Sequence, residues 1–185
     1  MPDAAPQRIG TRRAYHGRLL EVEVETLEAP DGRRFDLEII RHPGAAAVVP
    51  LLSDPGADDP RVLLLRQFRH AAAARLWEIP AGVLEEGEEP LACARRELAE
   101  ETGATARSID HLTTFYTTPG FTDEQIHLFV ATGIEVGEPS HEHDEFIEVQ
   151  VVALREALTM IRDGTIVDGK SIVALLYLAG FRLGL

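Results

Sequence analysis

The chain has 185 residues, 45% hydrophobic and 26% charged, which suits one folded domain with a real core and a small appended element. A formal net charge of −13 argues against a nucleic-acid backbone as partner, because affinity there comes from Lys and Arg neutralising phosphates. No apolar run reaches the roughly 18 residues of a membrane span, and residues 1–13 lack the apolar core of a signal peptide.

A single cysteine, Cys93, excludes an intrachain disulfide and fits a reducing cytoplasm. Its expected state is a buried, inert thiol.

Residues 1–10 carry two prolines and no periodicity, so a loose start is expected. Leu19 to Leu27 alternates apolar and acidic residues and predicts a half-buried strand. Ala29-Pro30-Asp31-Gly32 is a turn signal, and Phe35 to Arg41 returns as a second strand. A lone hairpin with one apolar face is not stable in water, so this element must pack on the main domain or on another subunit. Pro43-Gly44 marks a boundary, giving an N-terminal element over 1–42 and a main domain over 43–185.

Ala45 to Leu52 and Val62 to Phe68 are apolar runs without alternation, as expected of central strands covered on both faces. Trp77 has core packing as its expected role. The last half of Gly82 to Ala104 reads as a helix, with Pro90 in its first turn and Gly103 as its stop. Further strands are expected over Ser108 to Tyr116, Gln125 to Ala131 and Phe146 to Val152, with a polar loop over Gly137 to Glu145. Leu154 to Arg162 and Lys170 to about Leu183 read as helices, the last without chemistry.

On the first helix, Glu97 sits beside Glu100 and Glu101, since positions three and four apart share a face. Leu91, Ala94 and Leu98 form a separate apolar stripe. Three crowded carboxylates are either a solvated acidic face or a site for a divalent cation such as Mg²⁺ or Mn²⁺.

The flanking residues decide between these. Gly82, Glu88, Arg96-Glu97-Leu98, Glu100-Glu101 and Gly103-Ala104 stand at the spacing Gly-x5-Glu-x7-Arg-Glu-U-x-Glu-Glu-x-Gly-U, where U is bulky and apolar. This resembles the Nudix box at every fixed position, Ala104 being a small residue at the last U. The resemblance implies an α/β fold: a Nudix α/β/α sandwich with a mixed sheet, here preceded by an N-terminal antiparallel β-hairpin. It implies hydrolysis of a nucleoside diphosphate linked to another moiety, with Mg²⁺ (or Mn²⁺) as cofactor. It also implies that Arg96 pairs with Glu88, and that Glu97, Glu100, Glu101 and the backbone carbonyl of Ala81 ligate the metal.

A second resemblance narrows the group. Pro119 lies fifteen residues beyond Ala104, within Pro-Gly-Phe-Thr-Asp-Glu, as in the ADP-ribose pyrophosphatase group of the family. That group uses an N-terminal sheet to dimerise, so a homodimer is implied. Arg66-Gln67-Phe68-Arg69 and the lead-in Glu78-Ile79-Pro80-Ala81-Gly82 also resemble it. The candidate substrate-binding residues are therefore Arg41, Arg66, Arg69, Glu78, Pro119 and Phe121. Cations are needed near a diphosphate in so acidic a protein.

In the 137–145 loop the family presents an acid-x-acid pair. Aligned on Phe146 to Val149, this chain places Glu145 in one position and His143 in the other. Glu142, His143 or the helix carboxylates could fill the second role, so Glu142, Glu145 and Glu100 are the catalytic candidates. The implied reaction is ADP-ribose to AMP and ribose 5-phosphate. GDP-mannose, NADH and diadenosine polyphosphates are alternative substrates, and a non-catalytic nucleotide-binding regulator is the alternative class.

Overall fold

The computed structural model describes residues 5–137 and 147–185. The chain divides into two compact units, Met1–Gly44 with Phe115–Gln125, and Ala45–Thr114 with Ile126–Leu185.

In the first unit, β1 (Gln7–His16), β2 (Glu21–Glu28) and β3 (Arg34–Arg41) form an antiparallel sheet in the order β1-β2-β3. The expected hairpin is β2–β3, closed through Gly32 at φ +81° with its N–H on the Ala29 carbonyl. The loose start is corrected: residues 7–10 open a third strand. Its partners explain it. Arg13 stands opposite Glu23 and His16 opposite Glu21, so a basic strand is matched to an acidic one. Register shifts at Arg8/Gly10 and Arg13/Tyr15 break the period-2 pattern that would have announced it. The 117–124 segment returns to this sheet. The Ile40 N–H donates to the Phe121 carbonyl at 2.8 Å, and Asp123 accepts from the His42 N–H at 2.9 Å.

The second unit is built on a mixed sheet. β4 (Ala45–Leu51) pairs parallel with β9 (Gln125–Val136) and antiparallel with β5 (Arg61–Arg69) and β7 (Ala81–Val83). β6 (Ala74–Glu78) and β10 (Ile147–Ala153) flank β5, and β8 (Ala104–Tyr116) lies beyond β9. Every residue of β4 is buried, as an unbroken apolar run requires when both faces are covered.

Ala46 and Val48 pack with Cys93, Ala94 and Leu98 of helix α1 (Pro90–Thr102). Ala45, Ala47 and Val49 point the other way, where α3 (Gly169–Tyr177) packs on β4. α2 (Leu154–Arg162) lies against β10 and α3, and the chain ends in a π-helical turn, Leu178–Leu183. The architecture is the expected α/β/α sandwich.

Leu91, assigned to the apolar stripe of α1, is instead exposed, and Cys93 takes its place in the core. Trp77 is half-buried rather than core. It sits opposite Arg66 on the neighbouring strand, and that guanidinium lies 5.8 Å from its ring centroid.

Candidate active site

The site starts from the ends of α1. Gly103 adopts φ +68° and donates to the Ala99 carbonyl, stopping the helix where only a residue without Cβ is unstrained. The helix then presents Glu97 and Glu101 one turn apart on its inner face, 9% and 3% exposed. Burying carboxylates is costly unless they are paired, and both are. Glu101 Oε2 accepts the Ala81 N–H at 2.9 Å, and Glu97 Oε1 receives Arg96 Nη1 at 2.5 Å.

Gly82 is a positional requirement. A Cβ there would stand 1.8 Å from Glu97 Oε1 and 2.1 Å from its Cδ. The Glu97 carboxylate therefore rests against bare backbone, and both buried acids face the three-residue strand β7.

Arg96 organises the acids. Nε and Nη2 hold both oxygens of Glu88 at 2.9 Å, Nη1 also reaches Glu100 at 3.1 Å, and Nη2 donates to the Val83 carbonyl at 3.2 Å. The Arg96 bond holds the Glu88 carboxyl at about 2, below its ordinary 4.5. A depressed carboxylate stabilises the fold fully above 4.5 and loses that contribution as pH falls through about 2. Glu88→Gln should therefore be less stable than wild type at neutral pH, with the two denaturation midpoints converging as pH falls from 4.5 towards 2. Urea titrations at several pH values check this.

Cys93 is fully buried, and burial, with the Glu88 charge next, pushes its thiol up to about 12. The expected inert thiol is what the structure shows.

A second cluster lies at the lead-in. Glu78, 2% exposed, binds Arg69 through both oxygens at 2.8 Å and also Lys170. Burial pushes its carboxyl up, but Arg69 and Lys170 together outweigh that and hold it below its ordinary value. The Glu78 bond first, and to a lesser extent the charge of Glu101, favour the charged form of Arg69, so this guanidinium lies within electrostatic reach of Glu101 on α1. Lys170, on the helix expected to carry no chemistry, is the residue sequence reasoning missed.

The other expected site residues separate. Arg66 and Arg69, read as a pair, point to opposite faces of β5 because strand side chains alternate. Arg41, in the first unit, is held by Glu23, Glu25 and Asp123 at 2.8, 2.5 and 3.0 Å, and its charged form is favoured by the Glu23 bond first. Pro119 and Phe121, in the same unit, are exposed in a turn where the Phe121 N–H meets the Thr118 carbonyl. Glu100 is the most exposed of the α1 acids, its side chain 47% open. Glu142, His143 and Glu145 lie outside the described residues.

A profile of the NUDIX domain matches residues 41–174. The chain belongs to the Nudix family. It is 39% identical over 180 residues to the ADP-ribose pyrophosphatase of Bacillus subtilis, covering 96% of this chain and 95% of that protein. It is 38% identical over 172 residues to the methanol dehydrogenase activator of Bacillus methanolicus, covering 92% and 90%. A crystal structure of an ADP compounds hydrolase superposes with a TM-score of 0.81 over 97% of each chain, at 21% identity, a likeness of fold.

The Nudix residues fit a divalent cation by the chemistry of their donors. Two buried carboxylates face one short strand, and a glycine lets one of them rest against its backbone. Among the described residues no three His, Cys, Asp or Glu side chains enclose an ion by themselves. Hard carboxylate oxygens suit a hard divalent cation. A cavity of about 350 Å³ against Leu52, Pro55, Arg107 and Thr132 lies at the other end of β4 and includes none of these acids.

Proposed function

We propose that this Nudix hydrolase cleaves the diphosphate of ADP-ribose to AMP and ribose 5-phosphate, with Mg²⁺ or Mn²⁺ bound by Glu97, Glu101 and the Ala81 carbonyl. The observation that carries the reading is the pair of buried carboxylates against β7, in a chain similar over nearly its whole length to an ADP-ribose pyrophosphatase. The bound cation would withdraw charge from phosphorus and lower the pKa of the attacking water. Glu97 and Glu101 contribute the negative charge that keeps it there.

Arg69 contributes positive charge for the phosphate. Its Nε and Nη2 are taken by Glu78, while Nη1 has no hydrogen bond among the described residues. Arg66 carries an exposed guanidinium stacked on Trp77 and without a carboxylate partner among them. Glu142 or Glu145 is assigned the deprotonation of water. Comparing Glu142→Gln with Glu145→Gln decides between them, and two near-wild-type rates exclude both.

The direct test is product chromatography after incubation with ADP-ribose, GDP-mannose, NADH or diadenosine tetraphosphate, with Mg²⁺ and with chelator. AMP released fastest from ADP-ribose, and only with metal, is the expected result. Preference for another substrate overturns the ADP-ribose assignment, and no hydrolysis of any of them overturns the enzymatic one.

We also propose a cytoplasmic homodimer. Ile9, Tyr15, Phe35 and Leu37 of the N-terminal sheet are exposed large apolar residues, an arrangement suited to burial against a second copy. No helix among the described residues is long and apolar enough to cross a membrane. Sedimentation at micromolar concentration should give twice the 20.3 kDa chain mass, and a monomer would refute the dimer.

A further inference from the structure

We propose that Lys170, with Asp168 and Ser171, is a positioning residue for Arg69, acting through Glu78 to hold the guanidinium for a substrate phosphate. The proposal rests on the reading of Arg69 as a phosphate contact.

The chain of bonds is continuous. Asp168 caps α3, accepting the Ser171 N–H at 3.0 Å and the Ser171 hydroxyl at 2.6 Å. The Ser171 oxygen in turn accepts the Ile79 N–H at 2.9 Å, so the start of α3 is pinned to the residue following Glu78. Lys170 is held between Asp168, at 3.1 Å, and Glu78. Glu78 then fixes Arg69 in a planar, two-bond fork.

The charges explain why this needs four groups. Glu78 and Arg69 alone would form a neutral pair, with one guanidinium bonding both oxygens in a dry site. A second cation on Oε2 keeps the carboxylate ionised, and Asp168 balances that cation. The result is neutral in sum. One edge of Arg69 is committed inward, and its side chain remains 41% exposed. An arginine held this way has little rotamer freedom left to lose on binding an anion. Burial also separates this Lys from a surface ion pair: its side chain is 12% exposed and that of Glu78 2%.

Two measurements on the full chain test this. The first is a kinetic cycle of Lys170→Met, Arg69→Ala and the double variant with ADP-ribose. Lys170→Met should raise KM by about tenfold, with kcat within about twofold, because a guanidinium no longer held in place loses binding that ground state and transition state share. The double variant should be no worse than Arg69→Ala, since both changes remove one interaction. Lys170→Arg should restore most of the loss. Multiplying effects, or a loss in kcat alone, would overturn the proposal.

The second is the NMR signal of the Arg69 Nε–H, which should be slowly exchanging in wild type and lost to exchange in Lys170→Met. An unchanged signal also overturns the proposal. Should Arg69→Ala leave KM unaltered, the phosphate role of Arg69 fails and the positioning role for substrate fails with it. The Nε–H signal would then still report separately whether Lys170 orders Arg69. Lys170→Gln, which keeps a donor to Glu78 without the charge, is read the same way if Lys170→Met does not fold.

Discussion

Glu101→Gln should lower kcat on ADP-ribose by about 10²–10⁴-fold, the rate equivalent of several kcal/mol of lost charge stabilisation through a bound metal. The fold should survive the change. Gln keeps an oxygen that can accept the Ala81 N–H now held at 2.9 Å, so that hydrogen bond can be retained while the charge is lost. The Mg²⁺ concentration for half-maximal activity should rise as well, because one of two buried carboxylates no longer attracts the ion. Metal titration of the rate, with a urea midpoint as control for stability, measures both. A rate within threefold of wild type would remove Glu101 from the metal site.

Arg96→Met should cost about 2–3 kcal/mol of stability, between the ranges for exposed and for fully buried ion pairs, because this network is part-buried. Glu88 and Glu97, whose side chains are 12% and 11% exposed, would both lose their cation. The Val83 carbonyl would lose a donor as well. Lysine should rescue only part, since it cannot span both oxygens of Glu88 as the guanidinium does. Chemical denaturation at pH 7 measures the loss. A change below 1 kcal/mol would mean that solvent, not Arg96, satisfies these acids.

How much of this could be read from residue order depends on the range of the interaction concerned. Helix α1 was legible because its determinants are local: Pro90 at the start, Gly103 at the end, and acids at three- and four-residue spacing. The fully buried β4 was legible because an unbroken apolar run has few other solutions. The Arg96–Glu88 pair, eight residues apart on one loop and helix, came from the resemblance to the Nudix box; the residues alone said only that Arg96 pairs with one of its neighbouring acids. By contrast, β1 carries no hydrophobic period of its own, and its strand state comes from charge matching to β2 across a bulged register.

The same division runs through the candidate site. The sequence by itself determined that Glu97, Glu100 and Glu101 crowd one helix end next to a glycine-bounded loop. Only the tertiary structure ranked them, burying Glu97 and Glu101 against β7 and leaving Glu100 to the surface, because burial depends on what packs over a helix rather than on its spacing. Only the tertiary structure joined Arg69 to Lys170 through Glu78, a contact spanning 92 residues of chain between Glu78 and Lys170. Local periodicity cannot encode a partner that far away; it is fixed when α3 packs on β4 and β6.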